Sequence, residues 1–137
     1  LVNEVTEADD HVAAQLEIPV GSPILHLRRL RWANGEPLAI LESYLPEWLL
    51  DVGQADFGER GLYQVMRSRG VHIKVAKQRI GARSATPDEC ELLTEKRGRP
   101  LLTMDRTTHD DSGRVVEWGH HVYRASQYSF EVTLVDH

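Results

Sequence analysis

The residues with the clearest capacity for binding chemistry lie on a predicted β-hairpin. A strand from Ile24 to Ala33 precedes Asn34-Gly35, the dipeptide most typical of a tight hairpin turn, and a return strand follows from Leu38 to Leu45. Strand alternation places Arg29 and Arg31 on one face. Guanidinium groups bind phosphate and carboxylate through paired hydrogen bonds, so this face suits a small anionic ligand.

The pairing register of this hairpin decides whether Glu42 joins the two arginines. If Asn34-Gly35 form the central positions of the turn, Leu27 faces Glu42, and the carboxylate shares the surface of Arg29 and Arg31. A loop one residue longer moves Glu42 to the opposite face. An alternative interpretation is an exposed ion pair between Arg29 and Glu42, worth well under ~1 kcal/mol.

A second hairpin carries further polar residues on one face. Strands are predicted over Pro100 to His109 and Arg114 to Arg124, and Glu117 and Tyr123 share a side of the latter. Gly119 lies between them and either leaves room above the sheet or marks a bulge. Glu117 and Tyr123 are therefore candidates for lining a cavity.

The two hairpins share one layout, which indicates a unit that is used twice. Each follows a helix and a Gly-x-Pro segment, and Arg29 lies six residues after Pro23 as Arg106 lies six residues after Pro100. Two such units predict an α+β domain with an antiparallel sheet and helices packed on one face.

The remaining elements are predicted from caps and periodicity. A helix of about ten residues is expected with Thr6 as its N-cap, ending before Pro19. The capping-box signature Thr86-Pro87-Asp88-Glu89 predicts a helix that continues to about Lys96. Leu62, Val65 and Met66 form a helical stripe that closes at Gly70.

Two further strands follow from alternating and β-branched residues. The longer one is predicted over Val71 to Ala85, and a last strand is predicted over Tyr128 to Val135. Together these elements occupy the whole of residues 1–137, which we expect to be one domain.

Composition excludes several classes of function. The 137 residues carry a net charge of −5, the wrong sign for direct binding to nucleic acid. Apolar runs are too short to span a membrane. The single cysteine, Cys90, lies among acidic residues that disfavour a thiolate, and adjacent His120 and His121 point to opposite faces, so neither a nucleophile nor a metal site is predicted. No catalytic motif or cofactor-binding motif is present. Leu1 begins the chain without Met, so we expect a piece of a longer protein.

Three stretches in the first third of the chain resemble a known domain family. They are Gly21 to Arg31, Asn34 to Ala39 and Glu42 to Pro46, and later motifs keep the family's order across nearly all 137 residues: Gly61-Leu62-Tyr63, Gly98 to Leu102, Val116-Glu117 and Tyr123-Arg124. The sequence is similar to the UTRA effector-binding domain of HutC-type GntR transcription regulators.

This resemblance implies a chorismate-lyase-like fold and a role in sensing. It implies an effector pocket between sheet and helices, a cytoplasmic homodimer, and a winged helix-turn-helix domain that precedes this region and would alone contact DNA. Effectors of such domains are small metabolites such as sugar phosphates, sugar acids and other carboxylates. We therefore expect an effector-sensing domain that is not an enzyme and needs no cofactor.

Carried over by position, the resemblance predicts the residues that contact the effector. Arg29 and Arg31 would bind its anionic group, and further contacts would come from Glu42, Gly61, Leu62, Tyr63, Glu117 and Tyr123. Gly61 stands where phosphosugar-responsive relatives carry a hydroxyl residue. Arg83, or Arg79 on the same face of its strand, would add a further cation.

Two other interpretations belong to different classes of protein. The first is a lyase-type enzyme on the related fold, with arginines holding a dicarboxylate and Glu117 as acid or base. The second is a module that only dimerises, in which case Arg29 and Arg31 would be exposed or paired with protein carboxylates and no cavity would lie near Glu117 and Tyr123.

Overall fold

A computed structural model describes residues 1–55 and 61–135. Its elements in chain order are β1 (Val2–Glu7), α1 (Asp10–Leu16), β2 (Pro23–Ala33), β3 (Glu36–Leu45), a 3-10 segment (Glu47–Gln54), α2 (Leu62–Ser68), β4 (Ile73–Ser84), α3 (Pro87–Leu93), β5 (Pro100–Asp110) and β6 (Val115–Arg124). The strands form one antiparallel sheet in the order β1-β2-β3-β6-β5-β4. The predicted α+β class is confirmed. None of the helices in these residues is long and apolar enough to cross a membrane.

Helices cover both faces of the sheet, so the prediction of one covered face is wrong. One face packs its Leu25, Leu27 and Leu45 against α2 and the 3-10 segment. The opposite face packs Ile24 against α1 and Ile40 against α3. Both faces of β2 are apolar near Pro23, because this strand lies between two helical layers.

The turn of the first hairpin is the one that the sequence predicts. Asn34 and Gly35 have φ angles of 53° and 78°, as the two central residues of a type I′ turn require, and Ala33 lies opposite Glu36. Asparagine and glycine tolerate this backbone region better than other residues do.

A bulge beyond the turn changes the register of the hairpin. Trp32 lies opposite Pro37 and Arg31 opposite Ala39, so Leu38 is an extra residue on β3, and as a result Arg28, instead of Leu27, lies opposite Glu42. One extra residue on a strand reverses the facing of everything beyond it. The predicted register is therefore wrong, and Glu42 lies on the opposite face of the sheet from Arg31.

The start of the chain also differs from its prediction. Thr6 lies in β1, whose six residues pair with β2, and α1 has Asp9 as its N-cap. The Asp9 carboxylate accepts a hydrogen bond of 2.8 Å from the backbone N–H of Val12. Helix α1 is seven residues long because Glu17 follows it in the left-handed conformation.

The capping box of α3 is confirmed, but the predicted length of this helix and the predicted last strand are wrong. Thr86 and Glu89 exchange both predicted hydrogen bonds, but the helix ends at Leu93 because Thr94 adopts the left-handed conformation. Residues 128–135, predicted as a strand, have no regular secondary structure.

Mutation distinguishes Asp9, the observed N-cap of α1, from Thr6, the predicted one. Asp9→Ala removes the acceptor for the Val12 N–H, and we expect it to lower the free energy of unfolding by about 1 kcal/mol in urea denaturation. The matched variant Thr6→Ala changes an exposed strand residue and should cost less than about 0.5 kcal/mol. A larger loss for Thr6→Ala than for Asp9→Ala would contradict the observed cap.

Candidate functional site

A cavity of about 330 Å³ lies between the sheet and the start of α2. The strands β2, β3, β5 and β6 form its floor, and Gly61 to Gln64 form the facing wall. Its lining residues are Arg29, Arg31, Leu41, Gly61, Leu62, Tyr63, Gln64, Arg106, Glu117, His121 and Tyr123.

Most of the residues predicted to contact an effector line this one cavity. They are Arg29, Arg31, Gly61, Leu62, Tyr63, Glu117 and Tyr123. Glu42 and Arg83 lie on the opposite face of the sheet. The structure therefore brings together residues that are up to 94 positions apart in the sequence, from Arg29 to Tyr123, while their role in binding stays a prediction.

Glu117 is the central buried charge of the site. Its side chain is fully buried, and its carboxylate accepts hydrogen bonds from Tyr63 Oη at 2.8 Å, Ser43 Oγ at 2.8 Å and Thr108 Oγ1 at 3.3 Å. These three hydroxyl groups come from α2, β3 and β5. A buried carboxylate requires such donors to offset its loss of water.

Tyr63 connects α2 to this network. The guanidinium carbon of Arg106 lies 4.8 Å from the centre of the Tyr63 ring, and Arg106 Nε lies 3.9 Å from Glu117 Oε1. Burial first, and then the charge of Glu117, raise the pKa of the Tyr63 hydroxyl. The hydroxyl therefore stays protonated and donates to Glu117.

Two half-buried arginines, Arg29 and Arg106, provide positive charge inside the cavity. Burial lowers the pKa of Arg29, with Glu117 acting in the opposite direction and Arg106 in the same direction. Arginine remains charged under these conditions. Arg31 is exposed and lies at the mouth of the cavity.

His121 is a buried neutral residue next to these cations. Its side chain is 4% exposed, and its Nε2 has no hydrogen-bond partner in the described parts of the chain. Burial, followed by the charges of Arg106 and Arg29, lowers the pKa of His121 to about 3. Arg106 and Arg29 would repel a protonated imidazole at this position, so His121 stays neutral.

Gly119 leaves the space that this arrangement needs. A Cβ at position 119 would lie 3.1 Å from His121 Nε2 and 3.3 Å from Glu117 Oε2. The bulge in the β5–β6 pairing lies instead between Thr108 and His109. Of the two predicted roles of Gly119, the structure therefore supports room above the sheet.

Glu42 belongs to a separate network on the α1 face. It accepts a hydrogen bond from Tyr44 Oη at 3.0 Å and lies 3.4 Å from Arg28 Nε and 3.3 Å from His26 Nε2. The bulge in the β2–β3 pairing places Glu42 on this face. In this register Glu42 cannot contact a ligand together with Arg29, and the alternative Arg29–Glu42 ion pair does not form.

Arg83 is engaged at the start of α3. It donates two hydrogen bonds to Glu89, of 2.6 and 2.7 Å, and this pairing raises its own pKa and lowers the pKa of Glu89 to about 2. Arg79, the other cation considered, shares the face of Arg83, away from the cavity, and lies opposite Asp105 in β5.

The sequence analysis missed Arg106 and His121 as cavity residues. The signal for Arg106 was present, since the repeat places it at the position of Arg29 in the second hairpin. The side chains of Arg29 and Arg106 both point to the α2 face. Strands β3 and β6 lie between β2, which carries Arg29, and β5, which carries Arg106. His121 shares strand parity with Glu117 and Tyr123. Within residues 1–55 and 61–135, no group of three or more His, Cys, Asp or Glu could hold a metal ion.

The buried state of His121 has a measurable consequence for stability. An unfolded chain protonates this histidine near pH 6.5, whereas the folded chain does so only near pH 3. The unfolded state therefore binds the extra proton, and the free energy of unfolding falls by ~1.4 kcal/mol per pH unit as the pH drops through this window. His121→Gln should lack this contribution in urea denaturation at pH 7, 5.5 and 4.5. An NMR titration of His121 with a midpoint near 6.5 would refute the assignment.

Comparison with known proteins shows which family the chain belongs to. The family model of the UTRA domain matches residues 1–129. The HTH-type transcriptional repressor NagR of Bacillus subtilis (strain 168) is 30% identical over 128 residues, which cover 93% of this chain and 53% of NagR. The chain spans about half the length of the curated relatives that it matches.

Solved structures share the fold. A protein described as a transcriptional regulator from Streptomyces coelicolor is 50% identical, with a TM-score of 0.89 over 96% of this chain and 87% of that one. The ligand-binding domain of a GntR-family regulator from Bordetella bronchiseptica is 27% identical, with a TM-score of 0.89 over 98% and 88%. The chain belongs to the UTRA domain family, the effector-binding domain of HutC-type GntR regulators of transcription.

Proposed function

We propose that this domain binds a small anionic metabolite in the cavity beside Glu117. A sugar phosphate, a sugar acid or another carboxylate fits the chemistry of the lining. The observation that carries this proposal is the charge of the cavity: its described lining contains Arg29, Arg31 and Arg106 against the single carboxylate of Glu117. The described lining thus contains two more arginines than carboxylates, in a chain whose net charge is −5.

The hydrogen-bonding state of Glu117 supports an external anion. Both of its carboxylate oxygens already accept hydrogen bonds from protein hydroxyls, and Arg106 Nε approaches no closer than 3.9 Å. Glu117 therefore makes no short ion pair with Arg106. A phosphate or carboxylate in the cavity would offer Arg31 and Arg106 short, charge-assisted hydrogen bonds.

The polar groups around the arginines suit the remainder of a sugar-like ligand. Tyr63 and Tyr123 present hydroxyl groups on aromatic rings, and neutral His121 can either donate or accept a hydrogen bond. Leu41 and Leu62 supply apolar contact. A few polar groups in a partly apolar cavity are typical of small-molecule sites.

The relatives are regulators of transcription, so we propose binding and signalling instead of catalysis. The cavity beside Glu117 and Tyr123 argues against a module that only dimerises, for which no cavity was expected there. Arg29 is half-buried in its lining, while Arg31 is exposed at its mouth. In our proposal the domain forms a homodimer, and effector binding controls a DNA-binding domain that lies outside this chain.

Helix α2 is the element best placed to respond to the effector. It brings Gly61, Leu62 and Tyr63 to the cavity, whereas the arginines belong to the sheet. A ligand held by both parts favours the arrangement in which α2 lies against the sheet. Such a ligand shifts an equilibrium only by its difference in affinity, with typical coupling of ~1–3 kcal/mol.

Ligand binding can be tested on this chain by thermal shift against sugar phosphates, sugar acids and dicarboxylates. A ligand at ~100 times its Kd should add about 2.7 kcal/mol and raise the Tm by several degrees. We expect Arg31→Ala and Arg106→Ala to abolish the shift. Arg28→Ala is the matched control, because Arg28 lies three residues from Arg31 on the opposite face and pairs with Glu42 and Asp88. A shift that Arg28→Ala removes as fully as Arg31→Ala does would contradict this site.

The link to DNA requires the longer regulator. There, Arg31→Ala should raise the effector concentration needed to change operator binding by at least about tenfold, since each lost ~1.4 kcal/mol costs a factor of ten in affinity. Electrophoretic mobility shift with an effector titration measures this. Operator binding in the absence of effector should equal that of the parent, and an unchanged effector response in Arg31→Ala would refute the proposal.

A further inference from the structure

One buried side chain of the cavity has a polar atom that the fold leaves unpaired. His121 is 4% exposed, and its Nε2 makes no hydrogen bond with any residue that the structure describes. Its direct neighbours across the sheet are Leu41 in β3 and Met104 in β5, and neither side chain offers a strong hydrogen-bonding group. The strands that flank His121 therefore do not satisfy its imidazole.

Packing alone does not explain a histidine at this position. Leu41 and Met104 would pack equally well against an apolar side chain, whereas an unpaired polar atom in a protein interior destabilises the folded state. His121 also lines the cavity, so a bound molecule can supply the partner that the sheet does not. The position and the chemistry of His121 together indicate a role in binding.

Arg106 shows the same feature on the neighbouring strand. Its Nε is buried, makes no hydrogen bond within the described parts of the chain, and lies 3.9 Å from Glu117 Oε1. In β5 it lies two residues from Met104, the partner of His121, so Arg106 and His121 are diagonal neighbours on the cavity face. Two unpaired nitrogen atoms on adjacent strands thus border one cavity, and an anion between them can accept hydrogen bonds from both.

The charges around His121 keep its imidazole neutral without a bound anion. Burial, followed by Arg106 on β5 and Arg29 on β2, lowers the pKa of His121 to about 3; the adjacent His120 acts in the same direction and Asp105 in the opposite one. The other titratable residues of the described lining are Arg31, Tyr63, Glu117 and Tyr123. Apart from burial, the main causes are therefore two guanidinium charges, which an anion in the cavity would offset.

We propose that His121 Nε2 contacts the anionic group of the effector, and that His121 takes up a proton from the solvent when a doubly charged anion binds. This inference rests on the proposed function, because it concerns the same cavity. An anion beside Arg106 offsets the charge that repels a protonated imidazole, and a protonated imidazole donates from both nitrogen atoms. Because the proton adds a further positive charge, a doubly charged anion such as a phosphate monoester is bound better than a single carboxylate.

Proton uptake links the affinity for the anion to pH. A group that binds a proton in the complex but not in the free protein makes the affinity rise as the pH falls. His121 has its midpoint near pH 3 in the free protein. A midpoint of about 6 in the complex would make the Kd at pH 5.5 about fourfold lower than the Kd at pH 7.5.

Sulfate is a suitable probe, because it is a doubly charged tetrahedral anion whose own charge does not change between pH 5.5 and 8. Imidazole nitrogen NMR follows the protonation of His121, whose signal is assigned by its loss in His121→Gln. In sodium chloride we expect no titration in this range, and in sodium sulfate of equal ionic strength a midpoint of about 6. Sodium acetate, which carries a single charge, should raise the midpoint less. Sulfate binding that leaves the titration of His121 unchanged would refute the inference.

Variants test whether His121 is the group that takes up the proton. The Kd for sulfate, followed through the backbone amide signals of Leu62 and Tyr63, should lose its pH dependence in both His121→Gln and His121→Phe. Both variants should bind sulfate at least about threefold more weakly than the parent at pH 5.5. Two replacements are used so that poor folding of one, checked by circular dichroism, does not decide the result.

The matched control is His120→Gln. His120 is the adjacent histidine, but it lies on the opposite face of the sheet, where it pairs with Asp105. This variant should keep the pH dependence of the parent. A pH dependence that persists in both His121 variants, or that His120→Gln removes while they retain it, would overturn the assignment to His121.

The proposed function and this inference fail in different ways. If neither sulfate nor the effector panel changes the Tm or the cavity signals of the parent, the proposed function is wrong and the inference falls with it. A thermal shift by the panel without binding of sulfate, or binding without proton uptake, refutes only the inference. Binding of sulfate that strengthens at low pH, and that depends on His121 and on Arg106, supports both.

Discussion

The buried carboxylate of Glu117 is the constraint on which the cavity depends. An ionised carboxylate removed from water must find donors, and here they come from three elements that are distant in sequence: Tyr63 on α2, Ser43 on β3 and Thr108 on β5. Because Tyr63 is one of them, the position of α2 over the sheet is tied to the same charge that faces the arginines. In the proposed function, a ligand that changes the electrostatics around Glu117 therefore acts on this contact between helix and sheet.

The two faces of β2 separate two sets of charges within a few residues. Arg28 points to the α1 face, where it meets Glu42 and Asp88, while Arg29 points to the cavity. Because of the bulge, the carboxylate of Glu42 lies beside Arg28. A regular register would have placed this carboxylate in the cavity. Without the bulge Glu42 would lie beside the arginines and neutralise one of them. The surplus of arginine over carboxylate in the described lining is therefore a consequence of one additional residue in β3.

Local signals predicted the parts of the fold that local chemistry determines. Asn34-Gly35 set the turn, Thr86 and Glu89 set the start of α3, and alternation placed Glu117 and Tyr123 on one face. The bulge adds one residue to β3, because Trp32 pairs with Pro37 and Arg31 with Ala39, which leaves Leu38 without a partner in the pairing. Its signal was Pro37, since proline within a strand marks an edge or a bulge. β1 was missed because Thr6 resembles a cap, although Asp9 three residues later caps the helix. Arg106 was within reach of the repeat. The segment predicted as a strand, residues 128–135, pairs with no strand among the described residues, so alternation alone did not decide its conformation.

The net charge of the chain and the charge of its cavity act over different distances. At physiological ionic strength the Debye length is ≈ 8 Å, so exposed acidic residues farther than this from the mouth of the cavity are largely screened there, although they contribute to the net charge of −5. Arg31, exposed at that mouth, acts within this distance, and Arg29 and Arg106 act where burial weakens screening further. A net negative charge of the chain is thus compatible with the proposed anion site, because a ligand in the cavity is affected mainly by the charges nearest to it. In the proposed function a small phosphate or carboxylate enters the cavity, where Arg31 and Arg106 lie within reach of it.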